Sequence, residues 1–154
     1  MADATLIPRR AARVILLDAF DRVLLLHGND PADPDHTYWF TVGGGLDPGE
    51  SMLDAAVREL FEETGLRLPS DAFTGPVWHE STRFPFDGLW YAQEQDFFVV
   101  RVTSWDVDWS GLSDYERTSF DASRWWTIEE LEHTGEPFYP VELPTLLRTV
   151  TGVG

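Results

Sequence analysis

The chain has no cysteine and no lysine among its 154 residues. Without cysteine there is no disulfide, no thiol nucleophile and no thiolate to hold a metal, although the absence does not identify a compartment. The 11 basic residues are all Arg and stand against 27 Asp and Glu, for a formal net charge of -16. That balance excludes nonspecific attraction to DNA or to an anionic membrane, both of which require basic surface. Small anions are not excluded, because Arg binds phosphate bidentately and a local basic rim can sit on an acidic protein. Long apolar runs are missing too. None approaches the length of a membrane span, and Ala11 to Phe20 is broken by Arg13 and Asp18 and lacks the form of a signal peptide. The expectation is a cytoplasmic protein with neither a membrane nor a nucleic-acid partner.

What is present suits one domain over residues 1-154: 43% hydrophobic and 14% aromatic residues are enough to fill a core at this length. Ala12 to Asp18 and Arg22 to His27 read as strands of a hairpin turning at Ala19-Phe20-Asp21. Gly28 to His36 reads as a loop from its Asn, Asp and Pro cluster, and Tyr38 to Val42 as a short strand. Phe73 to His79 and Leu89 to Val102 are further strands, separated by a segment containing Pro85-Phe86-Asp87-Gly88. Thr103 to Ser123 is polar and turn-rich, Arg124 to Thr127 a strand, and Ile128 to Glu132 and Val141 to Val150 helices. Strands and helices in this mixed order predict an α/β sandwich.

The densest chemistry lies between Gly44 and Leu66. Gly43, Gly44 and Gly45 let the backbone approach a ligand closely, and Asp47-Pro48-Gly49 is a turn that halts the preceding strand. Ser51 followed by Asp54 forms a capping box with Asp in place of Glu, and Gly65 suits the left-handed position past a helix end, so a helix is predicted over Met52 to Thr64. At about 100° per residue, Leu53, Ala56, Val57, Leu60 and Thr64 share one stripe, and Glu59, Glu62 and Glu63 gather on the other side. Like charges three and four residues apart cost a few tenths of a kcal/mol per pair, and Arg58 alone offsets them locally. A divalent cation turns that cost into a gain. Clustered oxygen ligands with no Cys select Mg2+ or Mn2+ over Zn2+, and such ions bind through a few carboxylates plus substrate phosphates. A solvated acidic helix face is the plainer alternative.

Gly44, Glu50, Arg58, Glu59, Leu60, Glu62, Glu63, Gly65 and Leu66 fill every specified position of a signature that resembles the Nudix box. The resemblance implies a mixed sheet between helices, an α/β/α sandwich with the box helix on one face and a metal site at its exposed edge. It implies Mg2+ or Mn2+ held by Glu59, Glu62, Glu63 and the Gly43 carbonyl, and hydrolysis of a phosphoanhydride bond in a nucleoside diphosphate linked to another moiety. Glu59 and Glu62 are candidates for the base, with Arg58 and Glu50 holding the carboxylates in place. A further acidic ligand from outside the box is expected, with Glu94, on a predicted strand, ranked ahead of Glu116, in the polar segment.

Arg83, Arg101 and Arg117 are candidates for phosphate, and Trp39, Phe40, Phe84, Phe86 and Trp90 for an apolar wall against a base or sugar. The Pro and Tyr that mark ADP-ribose and dinucleoside polyphosphate hydrolases beyond the box are replaced by Glu80-Ser81-Thr82-Arg83-Phe84. The coenzyme A hydrolase signature is absent as well. The substrate therefore stays open among nucleoside triphosphates, ADP-ribose, nucleotide sugars and dinucleoside polyphosphates. A silent nucleotide sensor and an RNA cap hydrolase are the alternatives, the latter disfavoured by charge. A homodimer is left open.

Overall fold

The computed structural model describes residues 5-152. Its strands are β1 (Ile7–Leu17), β2 (Val23–Asp30), β3 (Asp33–Gly45), β4 (Thr74–Phe86), β5 (Leu89–Arg101), β6 (Phe120–Trp126) and β7 (Phe138–Tyr139). The helices are α1 (Met52–Thr64), α2 (Asp114–Ser119), α3 (Ile128–His133) and α4 (Leu143–Thr151). The sheet runs β4-β5-β1-β2-β3-β7, with β6 beside β2 and an added β1–β3 pairing. Pairs β1–β5 and β3–β7 are parallel and the others antiparallel, so the sheet is mixed as expected.

Alternation along β1 divides two cores. Ala12, Val14 and Leu16 face α1, meeting Ala55, Ala56 and Leu60, while Ile15 and Leu17 face Ile128 and Leu131 of α3 and Leu143, Leu146 and Leu147 of α4. Helices therefore cover both faces, the predicted α/β/α arrangement. Among the described residues no helix is long and apolar enough to cross a membrane.

Several local expectations change. The β1–β2 hairpin is paired only at Leu17↔Val23, because β1 then runs on against β3 and β5. Gly28 to His36 is not a loop: β2 and β3 extend through it and turn at Pro31-Ala32, where Asp30 Oδ1 accepts the Ala32 N–H at 2.9 Å. The same oxygen accepts the Asp87 N–H at 2.8 Å, joining this hairpin tip to that of β4–β5. Strands β4 and β5 reach that tip, so only Asp87 and Gly88 lie between them. The polar segment from Thr103 contains α2 and the start of β6.

Helix α1 follows its local signals. Ser51 Oγ accepts the Asp54 N–H at 3.0 Å, the Asp54 carboxylate accepts the Ser51 N–H at 3.2 Å, and Gly65 closes the helix with φ 80°.

Candidate active site

Three successive glycines at the end of β3 each clear room for a different charged side chain. A Cβ on Gly43 would lie 2.8 Å from Cδ of Arg13, one on Gly44 2.5 Å from Oε1 of Glu59, and one on Gly45 2.9 Å from Nε of Arg9. Gly43 also has φ +145°, a conformation that other residues rarely adopt. The strand end thus passes between α1 and the arginines of β1 with backbone alone.

The acidic residues of α1 do not simply face solvent. Glu59 and Glu63 are 6% and 2% exposed, turned inward toward the glycine strip, which corrects the expected site at an exposed edge. The cause is packing: Ala55, Ala56, Leu60 and Thr64 draw the helix onto the sheet, and Glu59 and Glu63 flank the same buried stripe. The Gly43 N–H donates to Glu63 Oε1 at 2.7 Å. Glu59 Oε1 accepts from Arg58 Nη1 at 2.9 Å, while Glu59 Oε2 is buried without any hydrogen-bond partner. An orphaned carboxylate oxygen is costly unless something cationic answers it.

Arg58 organises the acids around it. Its Nε and Nη2 donate to Glu50 at 2.8 and 2.9 Å, its Nη1 also to Glu62 Oε2 at 3.0 Å, and Nη2 to the Gly45 carbonyl at 2.8 Å. These bonds lower the pKa of Glu50 and raise that of Arg58. Burial acts the other way on the inner acids. It lifts Glu59 to about 7 despite Arg58, and with the neighbouring Glu59 it lifts Glu63 well above the ordinary 4.5. Glu62, more exposed, is raised by burial and lowered by Arg58.

The third carboxylate comes from α2. Oxygens of Glu59, Glu63 and Glu116 lie within 4.8 Å of one another, a grouping that suits a metal ion. The segment 103-113 is an arm folded over α1. Trp105 Nε1 donates to the Thr64 carbonyl at 2.8 Å, the Asp108 N–H donates to the same oxygen at 2.9 Å, and a Cβ on Gly111 would come 3.3 Å from Cα of Glu62. Glu116 then caps its own helix, accepting from the Ser113 N–H and hydroxyl at 3.2 and 3.0 Å, which fixes its carboxyl near α1.

Glu94 does not join this group. It bonds His79 at 3.0 Å and Ser81 at 2.8 Å on an exposed patch of β4 and β5, so the expected order of Glu94 and Glu116 is reversed by the geometry. Trp39 is no substrate wall: it is 8% exposed and packs edge-on against Trp126 at 5.2 Å. Phe40 packs on Phe120 at 5.3 Å against the α1-side core. Phe84 stacks on Tyr91 at 5.7 Å and shares a sheet face with Glu80 and Gln93, whereas Arg83 points to the opposite face with Ser81. Trp90 is exposed near the β4–β5 tip, and Phe86 half-buried. Arg101 pairs with Asp21 at 3.0 Å, and Arg117 donates to the Leu112 and Ser110 carbonyls at 3.3 and 3.1 Å.

Arg9, Arg13, Gln93 and Gln95 escaped the sequence reading of the site. Their signal was present: arginines four apart on a strand share a face, and Gln93-Glu94-Gln95 is a polar interruption in an otherwise apolar strand. Alternation puts the glutamines, and not Glu94, on the face of Arg9 and Arg13.

The chain that carries this acidic centre has relatives. A model of the NUDIX domain matches residues 7-146, and the chain belongs to that family. An RNA pyrophosphohydrolase of Afipia carboxidovorans is 31% identical over 118 residues, spanning 72% of this chain and 70% of that protein. Among solved structures, a MutT protein from Methanosarcina mazei Go1 superposes with a TM-score of 0.69 at 16% identity over 97% of each chain. An Ap4A hydrolase from C. elegans in a binary complex gives 0.61 at 21% identity over 94% of this chain and 96% of the other. These two likenesses carry the fold. Family and relatives together make the chain a pyrophosphohydrolase.

Proposed function

We propose that the chain hydrolyses a phosphoanhydride bond of a nucleotide with Mg2+ or Mn2+ held by Glu59, Glu63 and Glu116. The observation that carries this reading is the convergence of three carboxylates within 4.8 Å around a buried, unpartnered Glu59 oxygen. Nudix hydrolases use divalent metal ions, and an all-oxygen set selects a hard one. Glu62 and the carbonyl of Gly43 complete the candidate ligands. When bound, such an ion neutralises charge on the diphosphate and lowers the pKa of an attacking water.

The protein's own groups do the rest. Arg58 keeps Glu50, Glu59 and Glu62 at fixed positions and so limits the motion of the carboxylates. Glu62 is 32% exposed and carries only Oε2 on Arg58, so its other oxygen is the better placed to take a proton from water. Glu59 is turned inward and held, which suits a ligand better than a base.

A second reading narrows the substrate to the 5′ end of RNA, favoured by the RNA pyrophosphohydrolase relative. The charge of -16 weighs against extensive contact with the polymer and leaves room for its terminal phosphates. A panel of nucleoside triphosphates, dinucleoside polyphosphates, ADP-ribose, nucleotide sugars and 5′-triphosphorylated and capped RNA, with Mg2+, Mn2+ or EDTA, tests both readings. Turnover that survives excess EDTA would sink the metal assignment. Nucleotide binding with no turnover on any member would make the chain a sensor.

A further inference from the structure

Arg9 and Arg13 lie on one face of β1 beside Gln93 and Gln95 of β5. Arg9 Nη1 donates to Gln93 Oε1 at 2.8 Å, and Arg13 Nε donates to Gln95 Oε1 at 3.1 Å. Arg13 Nη1 reaches the Thr41 carbonyl at 3.3 Å. The amides continue the chain, Gln93 Nε2 donating to Gln95 Oε1 at 2.7 Å and Gln95 Nε2 to Glu80 Oε1 at 2.6 Å. Both glutamines are buried, at 1% and 6% exposure, and both guanidinium groups are half-buried.

The arrangement is unusual for this molecule. With 27 acidic residues for 11 Arg, carboxylates are plentiful, and Arg22, Arg58, Arg101, Arg124 and Arg148 each hold one. Arg9 and Arg13 reach none at ion-pair distance among the described residues; their partners are amides and a carbonyl. Two partly desolvated like charges kept side by side, with no carboxylate in contact and only the through-space attraction of Glu59 and Glu63, are a standing cost. The fold nevertheless makes room for them, since Gly45 and Gly43 leave the space in which Arg9 and Arg13 lie. A purely structural role would be served better by a carboxylate at either glutamine. Neutral partners fix the guanidinium groups and leave their charge for a ligand.

We infer that Arg9 and Arg13 bind a phosphate of the substrate beyond the diphosphate that the acidic centre handles, so that preferred substrates carry three or more phosphates in a row. This rests on the reading of Glu59, Glu63 and Glu116 as the cation site. The glycine strip separates two sites of opposite sign: carboxylates and their cation on one side, a guanidinium pair bonded only to neutral partners on the other. A diphosphate capped by neutral sugars is answered by the cation alone. A third phosphate supplies the added negative charge that the pair lacks, and guanidinium groups meet it bidentately. Nucleoside triphosphates, dinucleoside polyphosphates and 5′-triphosphate ends fit; ADP-ribose and nucleotide sugars do not use the pair.

The test compares the wild type with Arg9→Gln, Arg13→Gln and Arg13→Lys. In EDTA, calorimetry with inorganic pyrophosphate probes the arginine pair alone. Each Gln variant should weaken binding on the order of tenfold, and Lys should restore part of it. With Mg2+, kcat/KM for a nucleoside triphosphate should fall on the order of tenfold more than for ADP-ribose, mainly through KM. Mn2+ affinity, followed by paramagnetic resonance, should not move. Equal losses on both substrates, or pyrophosphate binding indifferent to the substitutions, would overturn the inference. So would a fall in melting temperature that accounts for the losses, since the pair would then be structural. A wild type that binds no Mn2+ yet loses pyrophosphate with Arg13→Gln would remove the cation site and keep the anion site.

Discussion

Gly44 and Glu59 are locked together: a methyl group on the glycine would sit 2.5 Å from Oε1 and 2.8 Å from Cδ of the glutamate. The backbone of β3 is therefore the wall against which the carboxylate rests. Gly44→Ala should push Glu59 out of place at an overpacking cost of about 1-3 kcal/mol, with a large loss of Mn2+ affinity and turnover. Gly43→Ala should behave differently. Its Cβ meets the Ala12 carbonyl oxygen at 2.2 Å, and φ is +145°, so backbone must move and folding itself should suffer most. Melting temperature and Mn2+ affinity, measured on both variants, distinguish a displaced ligand from a damaged strand.

Charge and packing on α1 are separable. Glu63→Gln keeps an acceptor for the Gly43 N–H, bonded at 2.7 Å, and removes an ionisable carboxyl that burial and Glu59 already disfavour as an anion. Metal-free stability should hold or rise while turnover falls by orders of magnitude. Leu60→Ala, at a fully buried position, should cost about 2-5 kcal/mol. Denaturant melts in EDTA decide the matter: an unfolded Glu63→Gln protein would show that the carboxylate is needed for the fold.

The raised carboxyls give metal-free stability a definite pH dependence. Burial lifts Glu59 from 4.5 to about 7, and Glu63 is also raised well above 4.5. From 4.5 upward the unfolded chain has released protons that the folded chain still holds, so stability in EDTA should fall as pH rises from 4.5 through about 7, where Glu59 loses its share, with Glu63 adding to the fall in the same direction. Ligation needs the deprotonated form, so the stabilisation by Mn2+ should grow over the same interval. Glu59→Gln should make the EDTA curve shallower, with the remaining slope due to Glu63. Melting temperatures that rise across this interval in EDTA, with the slope unaltered by that substitution, would contradict the assignment.

What could be read in advance was what depends on near neighbours. Ser51, Asp54 and Gly65 bound α1 through bonds within one turn, and the structure begins and ends the helix at Met52 and Thr64 as their order predicts. Periodicity placed Leu60 inward, but it could not tell that Glu59 and Glu63 are also buried, because that depends on how close the glycine strip comes. Trp39 and Phe40 are consecutive and equally aromatic, yet they enter opposite cores. Only the register of β3 against β2 and β7 assigns those faces.

The carboxylate beyond the box depends on the longest-range contacts of the site. The composition of Thr103 to Ser123 says only that it is polar and turn-rich, whereas Trp105 is bonded to the carbonyl at the end of α1 and Gly111 passes close over Glu62, and together they carry Glu116 inward. Glu94 sits on β5 with its carboxylate bonded to His79 and Ser81. Glu116→Gln should therefore lower Mn2+ affinity and kcat, on the order of the tenfold to hundredfold loss that follows removal of groups supporting a metal site. Glu94→Gln should resemble the wild type in both. Trp105→Phe supplies an independent check, since it removes the bond to Thr64 while keeping an aromatic ring. It should weaken Mn2+ binding by loosening the arm, and adding Glu116→Gln should then cost less than it does alone. Full additivity of the two substitutions would show that the arm does not position the glutamate.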